Sequence, residues 1–178
     1  MEIVEAKLSD IEELARVEIE SKTKSFSGDP DAGSMFSPIE VHFPTRLQRW
    51  SAYISREASP QAALAERVVY KACIDDKMIG YIAGHLTTRY GKEAEIQSFF
   101  VLKGSQRAGV GGKLLLQLIA WARSHKAKSL CVGIAPKNRF KTFYLKYGGG
   151  YINPHWIYWD DMDALAERIR QSQRAGSG

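Results

Sequence analysis

The chain has 178 residues, of which 44% are hydrophobic and 25% charged, a composition that excludes an intrinsically disordered protein. No apolar run approaches the roughly 18 residues of a membrane-spanning helix, and the opening MEIVEAKLSD lacks the regions of a signal peptide. The net charge of +5 could favour an anionic partner, but no helix pattern combines a basic stripe with aromatic residues, which argues against nucleic-acid binding. The two isolated cysteines, Cys73 and Cys131, are typical of core thiols in a reducing compartment, so we expect a cytoplasmic protein. Because no apolar run is long enough to span a bilayer, we expect no membrane partner.

The first third of the sequence predicts a strand and two helices. The strand covers Glu2 to Ala6, and Ser9 and Glu12 then form a capping-box pattern at the start of the first helix. The inward-facing residues of this helix are Ile11, Leu14, Ala15 and Ile19. A segment rich in Gly, Ser, Pro and Asp, Ser25 to Pro38, predicts a mobile loop before the second helix.

The second helix is predicted over Thr45 to Arg56, and a meander of antiparallel strands follows it. The inward-facing residues of the helix are Leu47, Trp50, Tyr53 and Ile54. The strands are Val68–Asp75, Met78–Thr88 and Glu93–Val101, with turns at residues 75–77 and 90–92.

The remaining sequence predicts a helix, a strand, a helix, a final hairpin and a terminal helix. These are the helix Val110–Ser124, the strand Ser129–Ala135, the helix Lys137–Tyr147, the extended segments GGGY and HWIYW, and the helix Asp161–Gln173. A helix joins Glu93–Val101 to Ser129–Ala135, so these strands should run parallel with a right-handed crossover. The element order implies one α/β domain over residues 1–178, with a terminal helix and frayed tail over 161–178.

The stretch SQRAGVGGKLL places several glycines directly before a helix, and its spacing excludes two familiar phosphate-binding loops. A Walker loop needs Lys and then Ser or Thr after its second glycine, but Val110 and Gly111 follow Gly109. A dinucleotide-binding fingerprint starting at Gly109 would need a third glycine where Leu114 stands.

The chain still leaves a strand at Val101 and enters a helix near Gly109, where main-chain N–H groups lack helical partners and the helix dipole is positive. Glycines allow a phosphate to approach those donors, so a pyrophosphate is the favoured guest. The alternative is that Gly109, Gly111 and Gly112 only permit close packing of the helix on the sheet.

Three segments in this region resemble motifs of the GNAT superfamily of acetyl-CoA-dependent N-acetyltransferases. Gln106–Gly111 is similar to its Q/R-x-x-G-x-G/A signature, and Val101 stands eight positions before the first of these glycines, as in the family. Asn138 and Phe143–Gly148 resemble the N…FYxKxGF segment, although Gly149 replaces the usual aromatic residue.

The resemblance implies a GNAT-like mixed, mostly antiparallel sheet of about seven strands flanked by helices, with a central parallel pair splayed at the cofactor site. It implies that the main chain of one strand end pairs with the pantetheine arm of acetyl-CoA and that the 107–112 backbone holds the pyrophosphate. The implied cofactor-binding residues are Phe99, Phe100, Val101, Gln106, Arg107, Ala108, Gly109, Val110, Gly111, Gly112, Asn138 and Tyr144. No metal is implied.

The chemistry needs a neutral amine, a base that accepts its proton and an acid that helps the thiolate to leave. Tyr144 is the predicted acid, because its hydroxyl is a donor at neutral pH, although its helix face also has the character of core. Glu95, six positions before Val101, resembles the general base of the histone-acetyltransferase branch. Strand alternation would place Glu95, Gln97, Phe99 and Val101 on one face, barring a β-bulge.

Several alternatives stay open. Glu95 could simply solvate a strand end, and His85 or His155 could serve as the base. The acceptor could be a small amine, a polyamine or a protein amine, and the loop carboxylates of Asp29 and Asp31 could receive a cationic one. The leading interpretation is direct acetyl transfer in a ternary complex, because no cysteine falls in the motif region. The alternatives are a non-catalytic acyl-CoA-binding regulatory module and a basic nucleic-acid binder; the sequence leaves the oligomeric state open, a homodimer included.

Overall fold

The computed structural model describes residues 1–25, 36–57 and 63–176, and within them seven strands form one sheet. The strands are β1 (Glu2–Glu5), β2 (Ala63–Ile74), β3 (Lys77–Thr87), β4 (Ala94–Val101), β5 (Leu130–Gly133), β6 (Gly150–Asn153) and β7 (Trp156–Trp159). The α-helices are α1 (Ile11–Lys24), α2 (Phe43–Ile54), α3 (Val110–Ser124), α4 (Lys141–Lys146) and α5 (Met162–Ala175). The strand order is β1-β2-β3-β4-β5-β7-β6, and every neighbouring pair is antiparallel except β4 with β5. The predicted mixed sheet and its parallel pair are confirmed.

Helices cover both faces of the sheet. Successive side chains of a strand point to opposite faces, so each strand can contribute residues to two separate buried clusters. Val69 and Tyr81 belong to a buried cluster with Leu14 of α1 and with α2. Their neighbours Val68 and Ile82 belong to a second cluster with α3 and α5. We call these sides the α1/α2 face and the α3/α5 face.

Helix α3 has the predicted bounds and is buried on most of its surface. Its buried residues are Val110, Gly112, Leu114, Leu115, Leu118, Ile119 and Ala122. They share one cluster with Ile82 of the sheet and with Leu165 and Ile169 of α5, so α3 is sandwiched between the sheet and α5. Full burial of a leucine side chain contributes roughly 1.5–3 kcal/mol, which makes this helix central to stability.

The start of α1 differs from the prediction. A 3₁₀ turn over Leu8–Asp10 precedes the helix, and Asp10 Oδ2 accepts the N–H of Lys7 at 2.8 Å. Ser9 lies inside this turn rather than at the cap position, so the predicted capping box between Ser9 and Glu12 is wrong.

Helix α2 begins slightly earlier than predicted, at Phe43, with a proline in its first turn, where a missing N–H costs nothing. Trp50 and Tyr53 are buried as predicted. Residues 26–35, which make up most of the predicted loop and contain Asp29 and Asp31, lie outside the described residues.

The final hairpin explains the glycine that departs from the family motif. A Cβ on Gly149 would lie 2.6 Å from Ile157 Cγ2 and 3.1 Å from the carbonyl oxygen of Tyr144. No side chain fits there without displacing the hairpin, so Gly149 allows β7 to pack closely against the end of α4.

Candidate active site

An extra residue interrupts the pairing of β3 with β4. Ile96 pairs with Gly84 and Ser98 pairs with Ala83, which leaves Gln97 as a β-bulge. Alternation of side chains along β4 therefore changes phase at Gln97.

The bulge separates two predicted site residues onto opposite faces of the sheet. Glu95 contacts His85, whose ring bonds Tyr53 of α2, so Glu95 lies on the α1/α2 face. Phe99 packs against Phe143, with ring centroids 5.5 Å apart, and lies on the α3/α5 face. The prediction that Glu95, Gln97, Phe99 and Val101 share one face is wrong, because period-two alternation does not hold across a bulge.

A gap opens between the two parallel strands. Their pairing is limited to Ala94–Ile96 of β4 and Leu130–Val132 of β5. Beyond it, β4 runs on through Phe99 and Phe100 to Val101 and, in the described part of the chain, pairs only with β3. The main chain predicted to bind pantetheine therefore has one strand edge without a neighbouring strand.

The loop after β4 is held to the end of that strand by Gln106. Its Nε2 donates to the carbonyl oxygen of Val101 and to Ser25 Oγ, both at 3.0 Å. Gln106 thus fixes the shape of the loop. The side chain of Arg107 is exposed and places a positive charge on its surface. Arg107 and Gly109 both have positive φ, of 65° and 78°.

The N-terminus of α3 is suited to an anion. The Lys113 N–H donates to the Gly109 carbonyl at 3.1 Å, so the N–H groups of residues 110–112 precede the helical bonds. Arg107, Ala108 and Gly109 are exposed beside them. The positive end of the helix dipole points to the same place.

The three predicted glycines serve two different purposes. A Cβ on Gly109 would have no atom within 4 Å, so this residue supplies a left-handed turn and an open approach. A Cβ on Gly111 would lie 3.1 Å from Phe143 Cε2, and one on Gly112 would lie 2.8 Å from Gln173 Nε2. Close packing therefore explains Gly111 and Gly112, and only Gly109 has open space for a ligand.

Asn138 lies in a turn that delays the following helix. Its N–H donates to the Ala135 carbonyl and its Oδ1 accepts the N–H of Phe140, both at 2.9 Å. Helix α4 consequently begins at Lys141, whereas the sequence predicted a start at Lys137. The side-chain oxygen of Asn138 is thus used locally.

Tyr144 of α4 is buried beside Phe99, a residue of the unpaired end of β4. Its ring lies 6.5 Å from that of Phe99, 5.4 Å from that of Phe143 and 6.0 Å from that of Trp159. Burial raises the pKa of Tyr144, so the hydroxyl stays protonated at neutral pH. The residue is part of the core and lies next to the strand end that is predicted to bind pantetheine.

Glu95 is buried among polar partners on the α1/α2 face. Its Oε2 accepts from Arg89 Nε at 2.8 Å and from Thr87 Oγ1 at 3.2 Å, and His85 Nε2 lies 3.5 Å away. Burial alone raises the pKa of Glu95, but the contacts with His85 and Arg89 outweigh it, so the pKa lies below its ordinary value. The group is a carboxylate at neutral pH.

The two alternative histidines occupy different environments. His85 is fully buried, and its Nδ1 is hydrogen-bonded to the Tyr53 hydroxyl at 3.2 Å. His155 is exposed in the turn between β6 and β7, where its main-chain N–H donates to Asn153 Oδ1 at 2.9 Å. The fold therefore joins His85, and not His155, directly to Glu95.

A buried charged group between α1 and α2 was not expected from the sequence. Glu18 Oε1 accepts from Lys22 Nζ at 2.7 Å and from Arg46 Nη1 at 3.1 Å, while Trp50 Nε1 donates to Oε2 at 2.9 Å. The side chains of Glu18, Lys22 and Arg46 are each 6–7% exposed. The spacing of Glu18 from Lys22 and of Arg46 from Trp50 puts each pair on one helix face, and that was the available signal.

Burial raises the pKa of both cysteine thiols, which disfavours the nucleophilic thiolate form. Cys131 of β5 is fully buried, and burial followed by the charge of Glu95 raises the pKa of its thiol to about 12. Burial also raises the pKa of Cys73.

Within the described ranges, no group of three or more His, Cys, Asp or Glu side chains could hold a metal ion. None of the helices described is long and apolar enough to cross a membrane.

Several solved structures have a fold similar to that of this chain. The PaiA N-acetyltransferase of Thermoplasma acidophilum, in complex with coenzyme A, is 19% identical with a TM-score of 0.69, covering 88% of this chain and 96% of its own. An N-acetyltransferase of Staphylococcus aureus Mu50 is 12% identical with a TM-score of 0.66, covering 90% and 98%. The aminoglycoside antibiotic 6′-N-acetyltransferase AAC(6′)-Ih of Acinetobacter baumannii is 18% identical with a TM-score of 0.62, covering 85% and 92%. At these identities the likeness shows a shared fold.

The sequence itself has no match among the curated proteins. A family model described as the acetyltransferase (GNAT) family matches residues 34–148. This range contains the gap between β4 and β5, the start of α3 and Tyr144. Because the match covers more than half of the chain, the protein belongs to the acetyltransferase (GNAT) family of acyl-CoA-dependent enzymes.

Proposed function

We propose that the protein transfers an acetyl group from acetyl-CoA to a primary amine, which attacks the thioester directly in a ternary complex. The observation that carries the proposal is the gap between β4 and β5, which opens beside the exposed N-terminus of α3. A free strand edge can pair with the amides of pantetheine, and a helix N-terminus favours pyrophosphate. The coenzyme A complex of the PaiA N-acetyltransferase, which has the same fold, supports this cosubstrate.

Residues on three segments would hold acetyl-CoA, which supplies the activated acetyl group when bound. The main chain of Phe99 to Val101 offers the strand edge. The N–H groups of residues 107–112 bind the pyrophosphate, and the exposed Arg107 adds positive charge. Asn138 is proposed to contact the pantetheine or its phosphate end through its amide nitrogen, since its side-chain oxygen is occupied by Phe140.

Glu95 is the proposed base. An ammonium has no lone pair, so the acceptor must lose a proton before it attacks. The lowered pKa keeps Glu95 ionised, and the Arg89 and Thr87 contacts fix Oε2 beside the bulge. His85 remains the alternative base, because it contacts both Glu95 and Tyr53.

Tyr144 is the proposed acid, and the bulge gives acid and base separate sides of β4. Glu95 lies on the α1/α2 face, whereas Tyr144 packs with Phe99 on the α3/α5 face. An amine entering from the α1/α2 face can lose its proton to Glu95, while Tyr144 protonates the sulfur that leaves on the other side. The raised pKa of Tyr144 keeps its hydroxyl protonated at neutral pH.

Direct attack is favoured over an acetylated cysteine intermediate. A thiol must ionise to be a nucleophile, and the pKa of Cys131 is raised to about 12. In the described residues Cys131 is also the cysteine nearest in register to Glu95, with which it pairs across β4 and β5.

The proposal is tested by measuring thiol release from acetyl-CoA with small amines, polyamines and short peptides, and by confirming the acetylated amine by mass spectrometry. The same samples without amine are the control for hydrolysis. Calorimetric titration with acetyl-CoA separates binding from turnover. Tight binding without thiol release for any amine would contradict the transferase proposal and favour a non-catalytic acyl-CoA-binding module.

A further inference from the structure

The α1–α2 interface contains an arginine whose hydrogen-bonding capacity is only partly used. Four buried side-chain atoms have no hydrogen-bond partner in the described residues: Arg46 Nε and Nη2, Ser21 Oγ and His85 Nε2. The first three belong to α1 and α2. Arg46 is 5% exposed and Ser21 1%. A buried donor left without an acceptor costs about 1–3 kcal/mol, so an acceptor for these atoms is expected.

The neighbouring carboxylate cannot supply that acceptor. Glu18 Oε1 already receives Lys22 Nζ and Arg46 Nη1, and Oε2 receives Trp50 Nε1. Glu40 Oε1 lies 3.8 Å from Lys22 Nζ, but its side chain is 38% exposed, and its Oε2 accepts from Ser37. Glu18 is therefore fully engaged, and Glu40 forms a salt bridge with Lys22 but accepts no hydrogen bond from Arg46 Nε or Nη2.

The unused donors have the geometry of a carboxylate site. Nε–H and Nη2–H point in the same direction along one edge of the guanidinium plane, the fork that binds both oxygens of a carboxylate. Lys22 adds a buried ammonium group, which is paired with Glu18 and Glu40. Ser21 lies one turn along α1 from Glu18 and adds a hydroxyl on that side of the helix.

This group adjoins the side of β4 from which the amine is proposed to enter. The rings of Trp50 and Tyr81 are 5.0 Å apart, and the Tyr81 hydroxyl is bonded to Ser98 Oγ at 2.9 Å. Ser98 directly follows the bulge at Gln97. Lys22 Nζ also lies 5.7 Å from the ring centroid of Phe100 in β4. Side chains of α1 and α2 therefore lead to the end of β4 where the thioester is proposed to bind.

We propose that Arg46, with Lys22 and Ser21, binds the carboxylate of the acceptor, so that the substrate is an amine that also carries a carboxylate. The inference rests on the proposed acetyl transfer. Free amino acids and peptides both offer this chemistry, and a polycationic amine such as an aminoglycoside does not.

The first test uses the parent protein and matched pairs of acceptors. Thiol release is measured with free amino acids of increasing chain length, with short peptides, and with the carboxamide of each. We expect kcat/KM to be about ten- to a hundred-fold higher for the acid than for its amide, as for loss of a charged hydrogen bond. Acid preference among free amino acids alone would identify a small metabolite, and preference among peptides a peptide acceptor. Equal rates for acids and amides would overturn the proposal.

The second test uses Arg46→Lys, which keeps the charge but removes the fork. We expect the acid preference to disappear, mainly through KM, while kcat/KM for the amides changes little. Arg49→Lys is the matched control, because Arg49 is exposed on the same helix. Retained acid preference in Arg46→Lys would overturn the assignment, and the parent comparison decides alone if this variant does not fold.

A binding measurement separates this proposal from the transferase proposal. The melting temperature is recorded with coenzyme A and an N-acetyl amino acid or its amide. We expect the acid, and not the amide, to raise it in the parent but not in Arg46→Lys. If this holds while no amine releases thiol, the carboxylate site stands and acetyl transfer fails; absence of both effects overturns the site.

Discussion

Arg89 Nε donates to Glu95 Oε2 at 2.8 Å, while the same guanidinium lies 4.6 Å from the ring centroid of Trp156. Arg89 therefore connects the proposed base to the final hairpin, because Trp156 begins β7. It also opposes the effect of burial on the Glu95 carboxyl. Together with His85, Arg89 holds the pKa of Glu95 below its ordinary value.

Replacing Arg89 by methionine should raise the pKa of Glu95. Burial raises this pKa, and after the substitution only the contact with His85 would oppose that effect. A base works only when unprotonated, so the acidic limb of the kcat/KM profile should move to higher pH. Arg16→Met, which removes an exposed arginine, should leave the limb in place. An unchanged limb in Arg89→Met would contradict the role of Glu95 as base.

The same pair predicts a pH dependence of stability. The folded-state pKa of Glu95 is lowered from 4.5, so its contribution is present above 4.5 and is lost as the pH falls through the folded-state value. Parent protein should therefore lose melting temperature below about pH 4.5 more steeply than Glu95→Gln. Parallel curves for the two proteins would show that the ion pair adds nothing to folding.

Glu95→Gln also tests the chemical step. Glutamine keeps the size and hydrogen bonding of the side chain but cannot accept a proton at neutral pH. We expect turnover to fall by roughly 10²- to 10⁴-fold and to recover partly as the pH rises and free amine forms. If the rate and the shape of the pH profile persist, Glu95 only orients its neighbours, and His85 or a bound water becomes the base.

Tyr144→Phe keeps the ring contacts with Phe99 and Phe143 and removes only the hydroxyl. We expect kcat to fall by roughly 10²- to 10⁴-fold, with little change in acetyl-CoA affinity measured by calorimetry. The melting temperature controls for packing, and a pre-steady-state burst shows whether product release hides the chemistry. Unchanged single-turnover rates would leave Tyr144 as a core residue.

A substitution at Gly109 tests the cosubstrate site more cleanly than one at Gly111. A side chain on Gly111 would also disturb packing against Phe143, whereas Gly109 has open space around it. The left-handed φ of 78° at Gly109 excludes a β-branched residue, whereas asparagine tolerates that conformation. We expect acetyl-CoA to raise the melting temperature of the parent and of Gly109→Asn, but not of Gly109→Val. Equal stabilisation of Gly109→Val would show that this turn does not bind the pyrophosphate.

The sequence by itself determined the order of elements, the bounds of α3 and the parallel pairing of β4 with β5. These features depend on local patterns: an apolar helix of defined length, glycines before it, and a helical connection between two strands. The motif from Gln106 to Gly111 added the family, which the match over residues 34–148 confirmed.

Only the tertiary structure decided which side chains meet. The bulge at Gln97 arises from register with β3, which alternation along one strand cannot show, and it turns Glu95 away from Phe99. The burial of Lys22 and Arg46 was likewise hidden, because isolated helices predict charged residues at the surface. Both are buried because α1 and α2 pack together on the sheet, and there Glu18 compensates part of their charge.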